Sequence, residues 1–242
     1  MYKRILAIGD IHGEYEKLLS LYEKIHFKPE EDLLIFLGDY MDRGKKPLQV
    51  MEWLLEHKDS PNLIMLRGNH DQMFLDYEVP KREQKKLGWI VPDYKYGWFN
   101  NGGLETLAYF EEKRKNSDPW EFLEFKAKCL SFIGNLPLFY QVSQNGEDYF
   151  FCHAGIKPSV ALDKQDPHDL LWIREEFWDN YQGENKIIVG HTPIILLCNY
   201  LGLEKTNYPL IRNNIIFLDT AACYGGNLSC MNVLTKEIWQ SD

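Results

Sequence analysis

Long hydrophobic runs, a surplus of basic residues and paired cysteines are the features that this sequence of 242 residues lacks. No apolar run approaches the roughly 18 residues that a membrane-spanning helix needs, so we expect no membrane segment. The 27 Lys and Arg are outnumbered by 36 Asp and Glu, which gives a net charge of −9. Non-specific binding to nucleic acid or to an acidic membrane needs a broad basic surface, and this charge balance argues against both partners.

The cysteines argue against a disulfide-stabilised secreted protein. There are five of them, scattered along the chain and without a Cys-x-x-Cys pair, so they do not form a disulfide framework. We expect reduced, mostly buried thiols in a cytoplasmic protein. The first apolar stretch, residues 5–8, is too short for the core of a signal peptide, and no export is predicted.

Six short apolar segments are each followed by a cluster of polar residues. These segments are residues 4–8, 33–37, 63–66, 149–152, 187–189 and 215–218. Continuous apolar runs of this length, bounded by glycine, are typical of buried strands. Apolar residues at helical spacing separate the first three segments, as in Leu18, Leu19 and Tyr22, or Val50 and Leu54. This alternation predicts a largely parallel sheet in which all six polar clusters meet beyond the carboxyl ends of the strands.

Residues 72–137 interrupt the alternation of strands and helices. Two helices are predicted there, one over residues 106–112 and a longer one on the spacing of Trp120, Leu123, Leu130 and Ile133. We interpret this segment as a helical cap inserted into a single domain that spans residues 1–242. The tryptophans are expected to pack in the core and the cap.

The polar clusters collect residues that bind metal ions. Four of the seven histidines lie in them, together with three aspartates and an asparagine, and these eight residues are Asp10, His12, Asp39, Asp42, Asn69, His70, His153 and His191. A buried group of carboxylates and imidazoles is unstable without a cation, because like charges out of water raise each other's free energy. Oxygen and imidazole donors without thiolates favour Mn²⁺, with Fe or Zn²⁺ as alternatives and Mg²⁺ a poorer fit.

There are too many candidate ligands for one ion. The set suits two divalent ions about 3.5–4 Å apart that share a carboxylate, an arrangement that lowers the pKa of a shared water molecule and holds the oxygens of a phosphate ester. The residues therefore predict hydrolysis of phosphate esters.

Five ordered motifs carry a resemblance to a known family. They are GDIHG at residues 9–13, GDYMDRG at 38–44, GNHD at 68–71, His-Ala-Gly at 153–155 and Gly-His-Thr-Pro at 190–193. The sequence resembles the calcineurin-like metallophosphoesterases, and most of all the phosphoprotein phosphatase branch. That branch includes bacterial serine/threonine protein phosphatases and symmetrical diadenosine tetraphosphatases. The resemblance implies an α/β fold with a central β-sandwich flanked by helices and a helical cap insertion at about residues 72–137.

The same resemblance implies a role for each candidate residue. Asp10 and His12 would bind the first metal ion, with Asp39 as the bridging carboxylate. The second ion would be bound by Asn69, His153 and His191. His70 would be the general acid that protonates the leaving alkoxide, and Asp42 would orient it and stabilise its imidazolium form. Arg43 and Arg174 would hold phosphate oxygens as a pair of bidentate clamps.

The sequence departs from the family pattern at two positions. Asp71 stands where the protein phosphatases commonly have Glu, and Ala221 stands where Gly is usual in the segment from Asp219 to Gly226. Asp219 and Tyr224 are left as residues that support the site or merely form a turn. The segment of residues 100–103, with Thr106, is similar to a cap element of the bacterial members.

Three functions are consistent with these residues. The leading hypothesis is a bacterial serine/threonine protein phosphatase that hydrolyses phosphate monoesters by attack of a hydroxide held between two metal ions. The first alternative is a diadenosine tetraphosphatase or another nucleoside polyphosphate hydrolase with the same active centre. The second is a catalytically inactive, metal-binding scaffold for protein interaction. The substrate would thus be a phosphorylated protein or a nucleoside polyphosphate, and no pattern in the sequence indicates an oligomeric state.

Overall fold

Two five-stranded sheets form the centre of the computed structural model, which describes residues 1–92 and 97–242. The strands are β1 (Arg4–Ile8), β2 (Asp32–Phe36), β3 (Leu63–Met65), β4 (Phe139–Gln144), β5 (Glu147–Cys152), β6 (Lys186–Val189), β7 (Leu210–Arg212), β8 (Ile215–Phe217), β9 (Ser229–Asn232) and β10 (Ile238–Gln240). The helices are α1 (Tyr15–Ile25), α2 (Pro47–His57), α3 (Asn69–Glu78), α4 (Lys81–Lys86), α5 (Gly103–Asn116), α6 (Pro119–Asn135), α7 (Pro167–Trp172), α8 (Glu175–Asn180) and α9 (Ile194–Leu201).

Both sheets are mixed, with three neighbouring parallel strands and two strands that pair antiparallel. The first has the order β10-β9-β1-β2-β3, in which β1, β2 and β3 are parallel. The second has the order β4-β5-β6-β8-β7, in which β5, β6 and β8 are parallel. All six predicted strands are therefore confirmed, but the single sheet that their alternation with helices predicted is wrong. The β-sandwich flanked by helices that the family resemblance implied is confirmed.

The layers of the sandwich explain why the central strands are apolar without interruption. Alternate residues of a strand point to opposite faces of a sheet. In β1, Ile5 and Ala7 pack between the two sheets, whereas Leu6 and Ile8 pack against the helices on the outer face. Both faces are buried, so no position of the strand can be polar without losing the free energy of burial.

The two predicted crossover helices are present as α1 and α2. Pro47 occupies the first turn of α2, where its missing N–H would have no partner within the helix. The buried positions of α1 are Leu18, Leu21 and Ile25. Leu19, which the periodicity placed on the apolar face, is 39% exposed and that assignment is wrong.

The segment of residues 72–137 is helical over most of its described part, as predicted. The expected helices over 106–112 and 120–133 correspond to α5 and α6. The buried positions of α6 include Phe122, Cys129 and Ile133, whereas Trp120 is 80% and Leu123 is 54% exposed. The expectation that Trp120 packs in the core or cap is therefore wrong.

The insertion packs on the same core as the sheet. Phe74 of α3, Phe110 of α5 and Phe122 of α6 share one hydrophobic cluster with Leu6 of β1 and Leu34 of β2. Residues 93–96, which also belong to the predicted cap, lie outside the described residues. The assignment of the whole chain to one domain with an inserted cap stays a prediction.

Two further expectations concern the cysteines and membrane-spanning helices. All five cysteines are free thiols and four of them are buried, as predicted. In residues 1–92 and 97–242, the structure has no helix with the length and apolar character that crossing a membrane requires.

An ion pair joins β1 to β2 at the end of the sheet opposite the polar clusters. Arg4 and Asp32 are register partners, and Arg4 Nε donates a 3.0 Å hydrogen bond to Asp32 Oδ1. The backbone N–H of Lys28 donates to Asp32 Oδ2 at 3.0 Å. Burial opposes ionisation of this carboxyl, but these hydrogen bonds outweigh burial and lower the pKa of Asp32.

A carboxyl whose pKa is lowered by folding stabilises the protein above its unfolded-state pKa, and that contribution disappears as the pH falls through the folded-state value. We therefore expect Asp32→Asn to lower the free energy of unfolding by about 1.5–3 kcal/mol at neutral pH, the range for a hydrogen bond to a charged group. The deficit should shrink as the pH falls below the usual pKa of an aspartate and through the lower folded-state value, as measured by urea denaturation at several pH values. Asp163→Asn, at an exposed carboxyl, is the control. A deficit that does not change with pH would contradict this interpretation.

Candidate active site

The polar clusters meet at one edge of the sandwich, where the parallel strands of both sheets have their carboxyl ends. The loop after β1 carries Asp10 and His12, and the loop after β2 carries Asp39, Asp42 and Arg43. The loop after β3 leads into Asn69 and His70 at the start of α3. From the second sheet, His153 follows β5 and His191 follows β6. The expectation that the clusters share one site is thus met, although they come from two sheets.

Asp39 lies at the centre of the cluster. Its Oδ2 is 3.4 Å from His12 Nε2 and 3.4 Å from His153 Nε2. Two groups of buried side chains have ligand atoms close enough together to hold a metal ion, and Asp39 belongs to both. One group adds His12 and His70 to Asp39, and the other adds Asp10 and His153. A carboxylate shared by two adjacent groups is what a bridging ligand requires.

Two imidazoles are oriented as metal ligands usually are. His12 Nδ1 donates to the carbonyl of Met41 at 2.8 Å, and His153 Nδ1 donates to the carbonyl of Leu37 at 2.9 Å. Carbonyl oxygens only accept, so Nδ1 of each ring carries a proton, and Nε2 of each ring is turned towards Asp39. Histidines that bind metals typically donate their other ring N–H to such a partner.

A second set of donor atoms surrounds Asn69. Its Oδ1 lies 2.7 Å from His153 Nε2 and 2.9 Å from His191 Nδ1. Ligand atoms at about 2.0–2.2 Å from one ion are about 3 Å from each other when they subtend a right angle. The distances from Asn69 Oδ1 to these two nitrogens are those expected between neighbouring ligands of one divalent ion.

The cluster buries several carboxyl groups. Five aspartates are at most 4% exposed, namely Asp10, Asp39, Asp42, Asp71 and Asp219. Burial and the neighbouring carboxylate of Asp219 raise the pKa of Asp10 well above its usual range. Burial likewise raises the pKa of Asp219 to about 6.

Asp39 behaves in the opposite way. Burial opposes its ionisation, but the imidazoles of His153 and His70 hold the pKa of Asp39 well below its usual range. In return, the carboxylate of Asp39 outweighs the effect of burial and raises the pKa of His153 to about 9. The proton on His153 thus supplies positive charge at a place where a metal ion would supply more. The carboxylates and imidazoles of the two groups are ligands that fit divalent cations.

His70 is held on both sides of its ring. Nδ1 donates to Asp42 Oδ2 at 2.7 Å, and Nε2 accepts from Arg43 Nη2 at 2.8 Å. Its Nε2 is 4.0 Å from Asp39 Oδ2, which is why it falls into one of the two candidate groups. The resemblance places Asp10 with His12 instead, and their nearest oxygen and nitrogen are 4.0 Å apart.

The two arginines lie at the edge of the cluster. Arg43 Nη1 donates to His12 Nε2 at 2.6 Å, and the guanidinium lies 5.5 Å from the ring centre of Tyr224. Burial disfavours its charge, but Asp39 and its neighbours outweigh this and raise the pKa of Arg43. The half-buried Arg174 donates a 2.7 Å hydrogen bond to Oγ1 of Thr192, the residue that follows His191 in the chain. Both predicted clamps therefore lie beside the candidate ligands.

The loops of the site store backbone strain. Residues with φ between +46° and +68° include His12, Asp39, Asp42, Arg43 and His191. A non-glycine residue in this left-handed region costs about 1–3 kcal/mol, and such residues cluster at functional sites. The surrounding hydrogen bonds must hold these loops in place.

Asp71 is one of the residues that hold them. Its carboxylate accepts from the backbone N–H groups of Asp39 at 2.9 Å, Tyr40 at 3.1 Å and Gly68 at 2.8 Å. It thereby ties the loop after β2 to the start of α3. Gly68 is required for this close approach, since a Cβ at that position would lie 2.1 Å from Asp39 Oδ1.

Sequence reasoning missed three residues of the site. In the sequence, Asp71 stands out only as a departure from the family pattern. The sequence indicates packing for Trp98 and a cap element for Thr106, yet both donate hydrogen bonds to Asp42. The signal for Thr106 is a polar side chain on the apolar face of a helix, where it needs a partner. Ala221, at the usual glycine position, has φ +59°, which explains why glycine is favoured there.

A two-sheet α/β fold with this site is that of a metal-dependent phosphoric ester hydrolase. The profile of the calcineurin-like phosphoesterase family matches residues 3–218, and the chain belongs to that family. The family consists of binuclear metal-dependent phosphoesterases.

Two relatives and one solved structure represent the similar proteins. The chain is 30% identical over 236 residues to Serine/threonine-protein phosphatase 2 of Salmonella typhimurium, covering 96% of this chain and 94% of that protein. It is 48% identical over an alignment of 285 residues to a symmetrical Bis(5'-nucleosyl)-tetraphosphatase of Methylobacillus flagellatus, covering 97% and 93%. The crystal structure of a putative diadenosine tetraphosphatase has the same fold, with a TM-score of 0.66 at 20% identity over 99% of this chain and 95% of the other.

Proposed function

We propose that this protein is a two-metal phosphomonoesterase that acts on phosphoserine or phosphothreonine in proteins. The observation that carries the proposal is the position of Asp39 between the two groups of imidazole and carboxylate donors. The match to Serine/threonine-protein phosphatase 2 along 96% of the chain supports the choice of substrate.

The donor atoms would divide between two ions that share Asp39. One ion would be held by Asp10, His12 and Asp39, and the other by Asp39, Asn69, His153 and His191. Mn²⁺ suits this mixture of oxygen and imidazole donors, and Fe or Zn²⁺ are the alternatives. When bound, such ions lower the pKa of water and neutralise charge on the phosphoryl group.

The side chains around the ions bind the phosphate and supply a proton. Arg43 and Arg174 present guanidinium groups that can hold non-bridging oxygens bidentately, which lysine does less well. His70 carries one proton on Nδ1, held by Asp42, and delivers a second from Nε2 to the oxygen of the leaving group. For Nε2 to do this, Arg43 must exchange its contact with His70 for one with the substrate.

Hydrolysis of a dinucleoside polyphosphate is the second candidate function. The observation that favours it is the 48% identity to a symmetrical Bis(5'-nucleosyl)-tetraphosphatase. The same ions, arginines and acid would serve both substrates, because each reaction transfers a phosphoryl group to water. The residues outside the cluster would decide between them.

Parallel kinetics on the two substrates test the proposal. With Mn²⁺ present, we expect kcat/KM for a phosphoserine or phosphothreonine peptide to exceed that for diadenosine tetraphosphate. A preference for the dinucleotide would transfer the assignment to the second candidate. Failure to hydrolyse either substrate, or p-nitrophenyl phosphate, would favour the third hypothesis of an inactive scaffold. The complete set of ligands and the His70–Asp42 pair argue against that outcome.

A further inference from the structure

The carboxylate of Asp42 is held by two residues that lie outside the loop motifs. Trp98 Nε1 donates to Asp42 Oδ2 at 2.9 Å and to Oδ1 at 3.1 Å. The hydroxyl of Thr106 donates to Oδ1 at 2.6 Å. Both residues are buried, with 4% and 0% of their surface exposed. All three of these hydrogen bonds go to Asp42, which is not a candidate metal ligand, so Trp98 and Thr106 act on the site through Asp42.

Thr106 fixes the backbone of Asp42 as well as its side chain. The same hydroxyl that donates to Oδ1 accepts the backbone N–H of Asp42 at 3.0 Å. Asp42 and Arg43 have φ values of +68° and +67°, a strained pair that needs such support. Thr106 belongs to α5, so the helical insertion holds this loop in its strained form.

Trp98 fixes the plane of the carboxylate. Its indole N–H shares Oδ2 with His70 Nδ1, which is 2.7 Å away. The indole cannot shift easily, since it packs beside Phe74 at 5.5 Å between ring centres and a Cβ on Gly103 would lie 2.4 Å from it. With Oδ1 held by Thr106 and both oxygens contacted by Trp98, Oδ2 is aimed at His70.

We propose that Trp98 and Thr106 are positioning residues for proton donation by His70. This inference rests on the proposed function, in which His70 is the general acid. The carboxylate holds the ring of His70 in one orientation only if its own plane is fixed. Trp98 and Thr106, the two hydrogen-bond donors of the insertion, supply that constraint. The insertion therefore helps to orient the general acid in addition to covering the site.

Dependence on the leaving group separates this role from a purely structural one. A phosphate ester with a poor leaving group needs a proton in the transition state, whereas p-nitrophenolate needs little. We therefore compare kcat/KM for p-nitrophenyl phosphate with that for phenyl phosphate and take their ratio. A variant that only loosens the fold lowers both values together and leaves the ratio unchanged.

Thr106→Val removes the hydroxyl but keeps the shape of the side chain. We expect it to raise the ratio about 10- to 100-fold, part of the factor of about 10²–10⁴ that general acid catalysis supplies. Thr106→Ser, which keeps the hydroxyl, should restore the ratio to within about 3-fold of the wild-type value. Trp98→Phe keeps an aromatic ring but removes the indole N–H, and it should raise the ratio in the same way. This second variant tests the proposal independently if Thr106→Val folds poorly.

Two further variants serve as controls. Leu107→Ala removes packing from α5 one residue away without removing a hydrogen bond, and it should leave the ratio unchanged. His70→Asn should raise the ratio more than any other variant. If His70→Asn raises it while Thr106→Val and Trp98→Phe do not, the positioning role is overturned and the proposed function stands. If His70→Asn leaves the ratio unchanged, the acid role itself fails and the inference fails with it.

Discussion

Asp39→Asn is expected to abolish turnover and to weaken the binding of both metal ions. Asp39 Oδ2 lies 3.4 Å from His12 Nε2 in one candidate group and 3.4 Å from His153 Nε2 in the other. Replacing this carboxylate by the neutral amide of asparagine would therefore remove a negatively charged ligand from both ions. Loss of a residue that merely supports a ligand costs about 10- to 100-fold in metal affinity. Loss of a shared ligand should cost at least as much at each ion. Metal content after gel filtration and isothermal titration with Mn²⁺ measure the effect.

Asp118→Asn is a matched control for this experiment. It removes the same charge from an exposed position, where Asp118 accepts from the backbone at the start of α6. Asparagine caps helices about as well as aspartate, so stability should be retained. The control should bind two ions per chain and turn over as the wild type does. Two ions retained by Asp39→Asn would refute the shared carboxylate.

His70→Asn is expected to slow poor leaving groups far more than good ones. On phosphoserine peptides or phenyl phosphate, kcat should fall about 10²- to 10⁴-fold, because the leaving oxygen loses its proton donor. On p-nitrophenyl phosphate the loss should be much smaller. Initial rates on the three substrates, at saturating Mn²⁺, provide the comparison.

His26→Asn is the control for this histidine substitution. His26 follows α1 in a left-handed conformation with φ +45°, which asparagine tolerates well. It lies at the end of β1 that carries Arg4, whose Nη2 donates to its carbonyl, away from the polar clusters. We expect wild-type rates on all three substrates. Equal losses on good and poor leaving groups in His70→Asn would remove His70 from the role of acid.

The parts of the fold that sequence reasoning predicted well are those buried on two sides. After their first residues, Arg4 and Asp32, β1 and β2 are entirely apolar and buried, so a continuous apolar run identifies them. β4 has mostly half-exposed or exposed positions, and β7 and β10 have three half-exposed or exposed residues each. Such strands derive their stability from neighbours in the sheet, which no local pattern of residues encodes.

The face of a helix was harder to predict than the helix itself. α6 carries apolar residues on every side, so periodicity finds the helix but does not select the face that packs. The structure buries Phe122 and Ile133 and exposes Trp120 and Leu123. The choice depends on the position of α6 against the core, which the sequence of the helix alone does not contain.

The candidate site shows the same division between local and distant information. The residues in the loop motifs were predictable because each directly follows a recognisable strand. Trp98 and Thr106 contact Asp42 across 56 and 64 residues of sequence, and neither follows a strand. Partnerships of that kind become visible only when the insertion is placed against the sheet.

Anomalous scattering from a crystal grown with Mn²⁺ tests the central claim most directly. The account predicts two anomalous peaks about 3.5–4 Å apart, with a carboxylate oxygen of Asp39 coordinated to both. Asn69, His153 and His191 should contact one peak, and Asp10 and His12 the other. A single peak, or two peaks without Asp39 between them, would contradict the account.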